Sequence, residues 1–129
     1  MKKENIYTDK AATTGAPLVQ AVKLGNLVFC SGASPRDPRQ GNKVVQGGFR
    51  EQATQAMENL KAVLEASGSG LEHCMKTTCY LMNFDENLTT LNEVWVKYFG
   101  KNVPARTAFG VAKLRENYLL EIEAVAYVP

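Results

Sequence analysis

One arginine near the C-terminus, Arg106, has a residue type and a setting suited to binding a small acid. Residues 103–111 alternate in the way that predicts a β-strand, and this alternation puts Arg106, Ala108 and Gly110 on one face. A guanidinium beside two positions with almost no side chain leaves room for a small ligand. Because its planar fork matches a carboxylate through two parallel hydrogen bonds, the pattern indicates a carboxylate-binding position.

Two glutamates on the final predicted strand are candidates for a general base. Residues 119–126 predict this strand, with apolar residues facing one way and Glu121 and Glu123 facing the other. An arginine and carboxylates on nearby strands predict a site for a small anion with a general base close to it. The same residue types also occur as solvated side chains or as structural ion pairs, which contribute little free energy.

The cysteines and the histidine give little support for a metal site or a nucleophile. Cys30, Cys74 and Cys79 cannot all pair and none lies in a Cys-x-x-Cys motif, so buried free thiols in a reducing compartment are expected. The single histidine, His73, excludes a His-rich metal site. It lies at a predicted strand entry beside charged residues, which disfavours a Ser-His-Asp triad.

Length and charge limit the classes of protein to be considered. With 129 residues, 45% of them hydrophobic, the chain is expected to form one domain over residues 1–129. A net charge of +2, with basic and acidic residues interspersed, gives no electrostatic basis for binding nucleic acid or an anionic membrane. The apolar runs are too short to cross a bilayer. The polar N-terminus does not resemble a secretory signal, so a cytoplasmic location is expected.

Two helices are predicted from apolar residues that recur at the helical period. The first covers residues 48–67 and ends at Gly68, which suits the left-handed conformation found at helix C-termini. The second covers residues 83–99. Trp95 lies in its apolar stripe and is expected in the core, while Asn92 lies at the edge of the stripe, where its amide can face a site.

The remaining predicted elements are strands. Apolar runs at residues 18–23 and 27–31 flank a Gly-Asn turn and predict a β-hairpin, and Ser31-Gly32 at its end can offer backbone N–H groups to an anion. Residues 75–82 predict a further strand. The order of elements predicts an α+β fold with two helices on one face of a mixed sheet. The other face is expected to carry Arg106 and the glutamates and to be covered by a neighbouring subunit.

Short motifs along almost the whole chain resemble those of the RidA family, the YjgF-type reactive intermediate deaminases. Each motif is weak alone, and their order and spacing together carry the resemblance. The matching pieces are Pro17-x-Val19-Gln20-Ala21-Val22, Leu24-Gly25-Asn26, Ser31-Gly32, the helix ending at Gly68, Lys76-Thr77-Thr78, Leu91-Asn92 with Tyr98-Phe99, Pro104-Ala105-Arg106-Thr107, and Glu121-Ile122-Glu123-Ala124.

This resemblance implies a chorismate-mutase-like (bacillus type) α+β fold, assembled as a homotrimer with sites in the clefts between subunits. It implies hydrolysis of reactive enamines and imines, such as 2-aminoacrylate and 2-iminopropanoate, to 2-oxo acids and ammonia, with no metal and no organic cofactor. Arg106 then holds the substrate carboxylate and Glu121 orients the attacking water. Ser31 and Gly32 line the cleft, and Asn92 lies near it.

Two positions depart from the family pattern. Leu18 stands where many members carry a tyrosine, and Ala108 stands where many carry a cysteine. Both residues are expected to line the substrate site and to make it more apolar or roomier. This predicts tolerance of larger apolar substrate side chains.

Two other functions are compatible with the sequence. The chain can be a non-catalytic trimer that binds small carboxylic acids or a regulatory partner, which Leu18 and Ala108 favour. A ribonuclease or translation inhibitor is disfavoured, because the chain is near neutral and lacks a basic face rich in aromatic residues.

Overall fold

The computed structural model describes residues 1–129 as a six-stranded mixed sheet with two helices. The strands of this sheet are β1 (Glu4–Ile6), β2 (Ala21–Leu24), β3 (Leu27–Ala33), β6 (Cys74–Leu81), β7 (Ala105–Gly110) and β8 (Leu120–Tyr127), and the helices are α1 (Phe49–Ala66) and α2 (Phe84–Phe99). Strands β4 (Arg36–Asp37) and β5 (Lys43–Val44) pair separately. The order across the large sheet is β1-β2-β3-β8-β6-β7, and only β6 and β7 run parallel.

The local predictions agree with these elements to within a few residues. The predicted hairpin is β2 and β3, closed by a Gly-Asn turn because Leu24 pairs with Leu27. Gly25 has φ 61 and Gly68, after α1, has φ 85. Both lie in the left-handed region, which glycine enters without the steric penalty that a Cβ would bring.

Both helices cover the same face of the sheet, as predicted. Every second residue of β8 is buried on that face, beginning with Leu120 and Ile122. The apolar stripe of α1 packs against them with Met57, Leu60 and Leu64, none of which is more than 1% exposed. Neither helix has the length and apolar content needed to cross a membrane.

Strand β7 owes its position to the α2 crossover. Two parallel neighbours need a long connection, and α2 provides it between β6 and β7. The close approach of α2 to the sheet favours a glycine at position 110, since a Cβ there would make a tight contact of 3.1 Å with Cβ of Phe84. As a result β7 forms one edge of the sheet, with its outer backbone groups unpaired.

The prediction that Arg106 and the glutamates share the face away from the helices is wrong for Arg106. Arg106 pairs directly with Thr77, which is buried under the helices, so Arg106 lies on the helix-covered face. Glu121 pairs with Tyr80 on the opposite, open face. Alternation fixes which residues of a strand share a face, but not which of its two faces meets the helices.

Candidate functional site

Glu121 opens into a cavity with a volume of about 520 Å³. We call it the Glu121 cavity. It lies between β3, the start of β8 and the N-terminal segment that leads into β2. Four of the predicted site residues line it together: Leu18, Ser31, Gly32 and Glu121.

Gly32 allows the Glu121 carboxylate to lie directly against β3. A Cβ at position 32 would come 2.6 Å from Oε2 of Glu121, which is closer than non-bonded atoms approach. The pairing of β3 with β8 also shifts between Cys30 and Ala33, so the strand carries an irregularity at this point. Such irregularities re-aim side chains, and here the irregular strand and the missing side chain together accommodate the carboxylate.

Ser31 holds the rim of the cavity in place. Its hydroxyl donates a 2.6 Å hydrogen bond to the carbonyl of Val19, and its backbone N–H donates to the carbonyl of Gln20 at 3.0 Å. These bonds fix the segment that carries Leu18, whose side chain is 57% exposed at the rim. The Ser31 hydroxyl proton is therefore committed to the backbone, and Leu18 offers an apolar edge to a ligand.

The Glu121 carboxylate is half-buried and has no hydrogen-bond partner in the chain. Burial raises its pKa above the usual carboxyl range, the nearby Glu123 raises it further, and Arg115 opposes them. Glu123 itself is engaged, because the Tyr80 hydroxyl donates to it. Glu121 thus keeps its acceptor capacity for a ligand or a water molecule, with an affinity for protons suited to a general base.

The other predicted site residues form a second group, the Arg106 site, built by β7 and α2. A terminal NH₂ group of Arg106 donates a 2.8 Å hydrogen bond to Oδ1 of Asn92. The guanidinium carbon lies 5.2 Å from the centre of the Trp95 ring, within cation–π range. Ala108 follows on the same face of β7, where it is partly buried against the hydrophobic core. Arg106 is therefore held by two side chains, with donor groups still free.

The two groups do not meet within one chain. Arg106 and Glu121 lie on opposite faces of the sheet, and β6 separates their strands. The seven predicted site residues therefore fall into two groups. The Glu121 cavity contains Leu18, Ser31, Gly32 and Glu121, and the Arg106 site contains Asn92, Arg106 and Ala108. Each group by itself lacks a charged side chain that the other has: the Glu121 cavity has a carboxylate without a hydrogen-bond partner, and the Arg106 site has a guanidinium with free donor groups.

Two contributions to these groups were missed from the sequence. Trp95 is in the core, as predicted, with 5% of its surface exposed, but its ring also supports Arg106. Arg115 lines the Glu121 cavity, whereas the sequence placed it only in a turn before the last strand. Turn residues carry no periodicity that would have shown where the side chain lies.

The surroundings of the three cysteines do not activate them as nucleophiles. All three are free, and burial raises the thiol pKa of Cys30 and Cys79 to about 12 and that of Cys74 to about 11. Cys79 pairs with Ala108 on the helix-covered face, but its side chain is fully buried. A thiol that stays protonated at neutral pH is a weak nucleophile.

The comparisons with known proteins cover almost the whole chain and include the residues of both groups. The profile of the family described as Endoribonuclease L-PSP matches residues 8–128. The chain is 42% identical over 127 residues to a RutC family protein of Pyrococcus abyssi, which covers 98% of each chain. It is 39% identical over 121 residues to a Homo sapiens protein named 2-iminobutanoate/2-iminopropanoate deaminase, covering 94% of this chain and 87% of that one.

Solved structures give the same result for the fold. The chain is similar to the crystal structure of RidA from an Antarctic Psychrobacter, with a TM-score of 0.91, 38% identity, and coverage of 97% of this chain and 99% of that chain. The match therefore extends over both the Glu121 cavity and the Arg106 site.

Proposed function

We propose that this chain, which belongs to the Endoribonuclease L-PSP (YjgF/RidA) family, is an enzyme that hydrolyses reactive enamines and imines to 2-oxo acids and ammonia. The substrates are of the 2-aminoacrylate and 2-iminopropanoate type. The name of the human relative supports this activity. The three free thiols support a reducing, cytoplasmic location.

The observation that carries the proposal is the separation of two incomplete groups on one chain. An arginine suited to a carboxylate and an uncommitted glutamate lie on opposite faces, so a second copy must supply one of them to make a complete site. We propose a homotrimer in which the Arg106 site of one subunit faces the Glu121 cavity of the next. A ring of identical head-to-tail contacts satisfies all such groups at once.

The open face of the sheet supports this assembly. Phe29, Phe109 and Tyr127 are each between 37% and 46% exposed on that face. Together with Leu24 and Leu27 they make an apolar surface that a monomer would leave in water. A subunit that covers this surface gains hydrophobic stabilisation and brings the edge strand β7 to a neighbour.

In the proposed reaction, Arg106 binds the substrate carboxylate and places the imine carbon beside Glu121. Glu121 accepts a proton from a water molecule as the water oxygen bonds to that carbon. Glu121 then passes this proton to the nitrogen of the tetrahedral intermediate. As the C–N bond breaks and ammonia leaves, Glu121 takes up the hydroxyl proton, and the oxygen becomes the carbonyl of the 2-oxo acid. A protonated imine is already electrophilic, so positioning and one base are sufficient.

The remaining predicted residues surround this centre. Gly32 lets the Glu121 carboxylate reach its place, and Ser31 fixes the rim segment. Asn92 orients Arg106. Leu18 and Ala108 provide apolar walls on the two sides, which is the basis for expecting tolerance of larger side chains.

A non-catalytic carboxylic-acid binder is the alternative, and the exposed Leu18 at the cavity rim favours it. Leu18 contributes no hydroxyl to the cavity. Under this alternative, the wild-type protein would bind 2-oxo acids and accelerate the hydrolysis of no imine. Calorimetric titration with pyruvate, run beside the turnover assay below, separates the two functions.

The test measures how fast 2-iminopropanoate disappears when an amino acid oxidase generates it from alanine. Wild-type protein is expected to speed the loss of imine that semicarbazide can trap. Arg106→Ala is expected to lower this acceleration roughly a hundredfold or more, since a charged partner of the substrate is lost. Arg50→Ala is the matched control, because Arg50 only pairs with Glu93 on the surface. Equal activity of the two variants would overturn the proposal.

A further inference from the structure

Only two charged side chains line the Glu121 cavity, and the proposed reaction uses one of them. Glu121 is the single anion and Arg115 the single cation among the lining residues. Arg115 has 50% of its side chain exposed and makes no hydrogen bond through its guanidinium. Its nearest acidic partner is Glu116, with Nε to Oε1 at 3.8 Å, beyond hydrogen-bond distance. Its donors are therefore free to bind a ligand.

The turn that carries Arg115 is held firmly by α1. The side chain of Gln52 on α1 donates to the carbonyl of Asn117 at 3.0 Å and accepts from the N–H of Leu119 at 2.7 Å. A backbone bond of 3.1 Å from Tyr118 N–H to the Arg115 carbonyl closes the turn itself. Functional side chains act best from a backbone that is already fixed.

A second anchor holds the same turn from β4. Arg36 donates to the hydroxyl of Tyr118 and to the carboxylate of Glu116, and its guanidinium also lies 5.3 Å from the centre of the Tyr118 ring. Glu116 adopts a left-handed backbone conformation with φ 49, which is unfavourable for a residue with a side chain. The fold therefore keeps Arg115 at the cavity by contacts that do not involve its own guanidinium.

We propose that Arg115 is a specificity-determining residue that binds a second acid group on the substrate, so that the preferred substrates are imines of dicarboxylic amino acids. This inference rests on the proposed function, because it assigns a side-chain preference to the same site. Arg106 of a neighbouring subunit binds the carboxylate next to the imine, and Arg115 binds the distal one.

Charge matching within the completed site supports this choice. A dicarboxylate then meets two guanidiniums, one for each acid group, while the Glu121 carboxylate lies beside the protonated imine nitrogen. With a neutral substrate side chain, Arg115 has only the Glu121 carboxylate as a charged partner in the cavity. The volume of about 520 Å³ is also far larger than a three-carbon imine needs, so there is room for a longer chain ending in a carboxylate.

The apolar wall of the cavity is compatible with such a substrate. Ile6, Leu60 and Val63 are among the lining residues and can contact the methylene groups between the two acids. The tolerance for apolar side chains expected from Leu18 and Ala108 makes a different prediction, namely that a neutral chain of equal length reacts equally well or better. A direct comparison of an imine that ends in a carboxylate with a neutral imine of equal length distinguishes the two predictions.

The experiment compares the imines of glutamate and norvaline, which have equal carbon chains, generated in situ by amino acid oxidases. Wild-type protein is expected to show the higher kcat/KM on the glutamate-derived imine. Arg115→Gln is expected to lower that value about tenfold, through KM, because one charge-assisted contact is lost. The norvaline-derived imine is expected to change less than about twofold, and Arg115→Lys should retain part of the preference.

Lys113→Gln is the matched control, since Lys113 is an exposed cation on the same loop that does not line the cavity. Equal losses on both imines would overturn the inference, because Arg115 would then act only through Glu121. Unchanged values, or a wild-type preference for the norvaline-derived imine, would overturn it as well. Titration with 2-oxoglutarate and 2-oxopentanoate tests the Arg115 preference even if no imine is turned over, so a failure of the proposed activity is recognised separately.

Discussion

The Arg106 site and the Glu121 cavity hold their central side chains in opposite ways. Arg106 is tied to Asn92 by a 2.8 Å hydrogen bond and lies over Trp95, so its orientation is set before any ligand arrives. Glu121 has no partner, and burial together with Glu123 raises its pKa. A group that binds an acid benefits from being fixed, whereas a group that takes up a proton benefits when burial makes its charged form less favourable.

The two regions also differ in the elements that build them. The Arg106 site is formed by regular structure, a strand and the helix that precedes it. The Glu121 cavity is formed largely by irregular segments, including the N-terminal residues before β2 and the turn that carries Arg115. Irregular segments accept substitutions more readily than packed elements. Carboxylate binding is therefore expected to be the constant feature, and side-chain preference the adjustable one.

The largest effect is expected when the two regions are inactivated on different chains. Arg106→Ala and Glu121→Gln should each lose almost all of the activity alone. When they are unfolded and refolded together, random assortment in a ring puts an intact Arg106 against an intact Glu121 in about a quarter of the sites. Imine hydrolysis should return to about a quarter of the wild-type rate by the same estimate.

The control for this experiment is the same mixture without unfolding. If co-refolding restores no activity although mixed oligomers form, the two regions do not combine into one site. The comparison between them would then have no functional meaning.

Glu121→Gln alone tests whether the raised pKa belongs to a working base. Loss of a general base is expected to lower kcat by about a hundredfold to a thousandfold with a smaller change in KM. In the wild type, kcat/KM should fall as the pH drops through the raised pKa of Glu121, because the carboxylate becomes protonated. A pH–rate profile measures this, and an unchanged profile in the variant would exclude Glu121 as the base.

The same variant should be more stable than the wild type at neutral pH. The folded-state pKa of Glu121 lies above its usual value, so ionisation of Glu121 destabilises the fold above that pKa, and the destabilisation disappears as the pH falls through it. The difference in Tm should therefore be largest at neutral pH and shrink on acidification. A lower Tm for Glu121→Gln at pH 7 would contradict the assigned cause.

The smallest effect is expected when Asn92, which supports Arg106, is replaced. Asn92→Ala removes the hydrogen bond that orients the guanidinium but leaves Trp95 beneath it. At an exposed position this contact is worth about 1 kcal/mol, which corresponds to about a fivefold rise in KM with little change in kcat. Thr89→Ala, on an exposed part of α2, is the control. A loss of kcat as large as that of Arg106→Ala would show that Asn92 does more than orient the arginine.

Much of the fold could be predicted from the sequence, because its signals are local. The period of apolar residues gave both helices, and the Gly-Asn turn gave the hairpin. Alternation grouped Arg106 with Ala108, and separately Glu121 with Glu123, on common faces of their strands. The RidA-type motifs gave the family, since their order along the chain is itself a sequence property.

What the sequence did not determine was how these faces are arranged in space. Arg106 lies under the helices because β7 runs parallel to β6 and pairs Arg106 with Thr77, and strand pairing is a contact between residues far apart in the chain. Arg115 reaches the Glu121 cavity because Gln52 and Arg36 hold its turn there, and no periodic pattern records such a contact. The local sequence determined which chemical groups each strand and turn carries, and long-range packing determined which of these groups lie together.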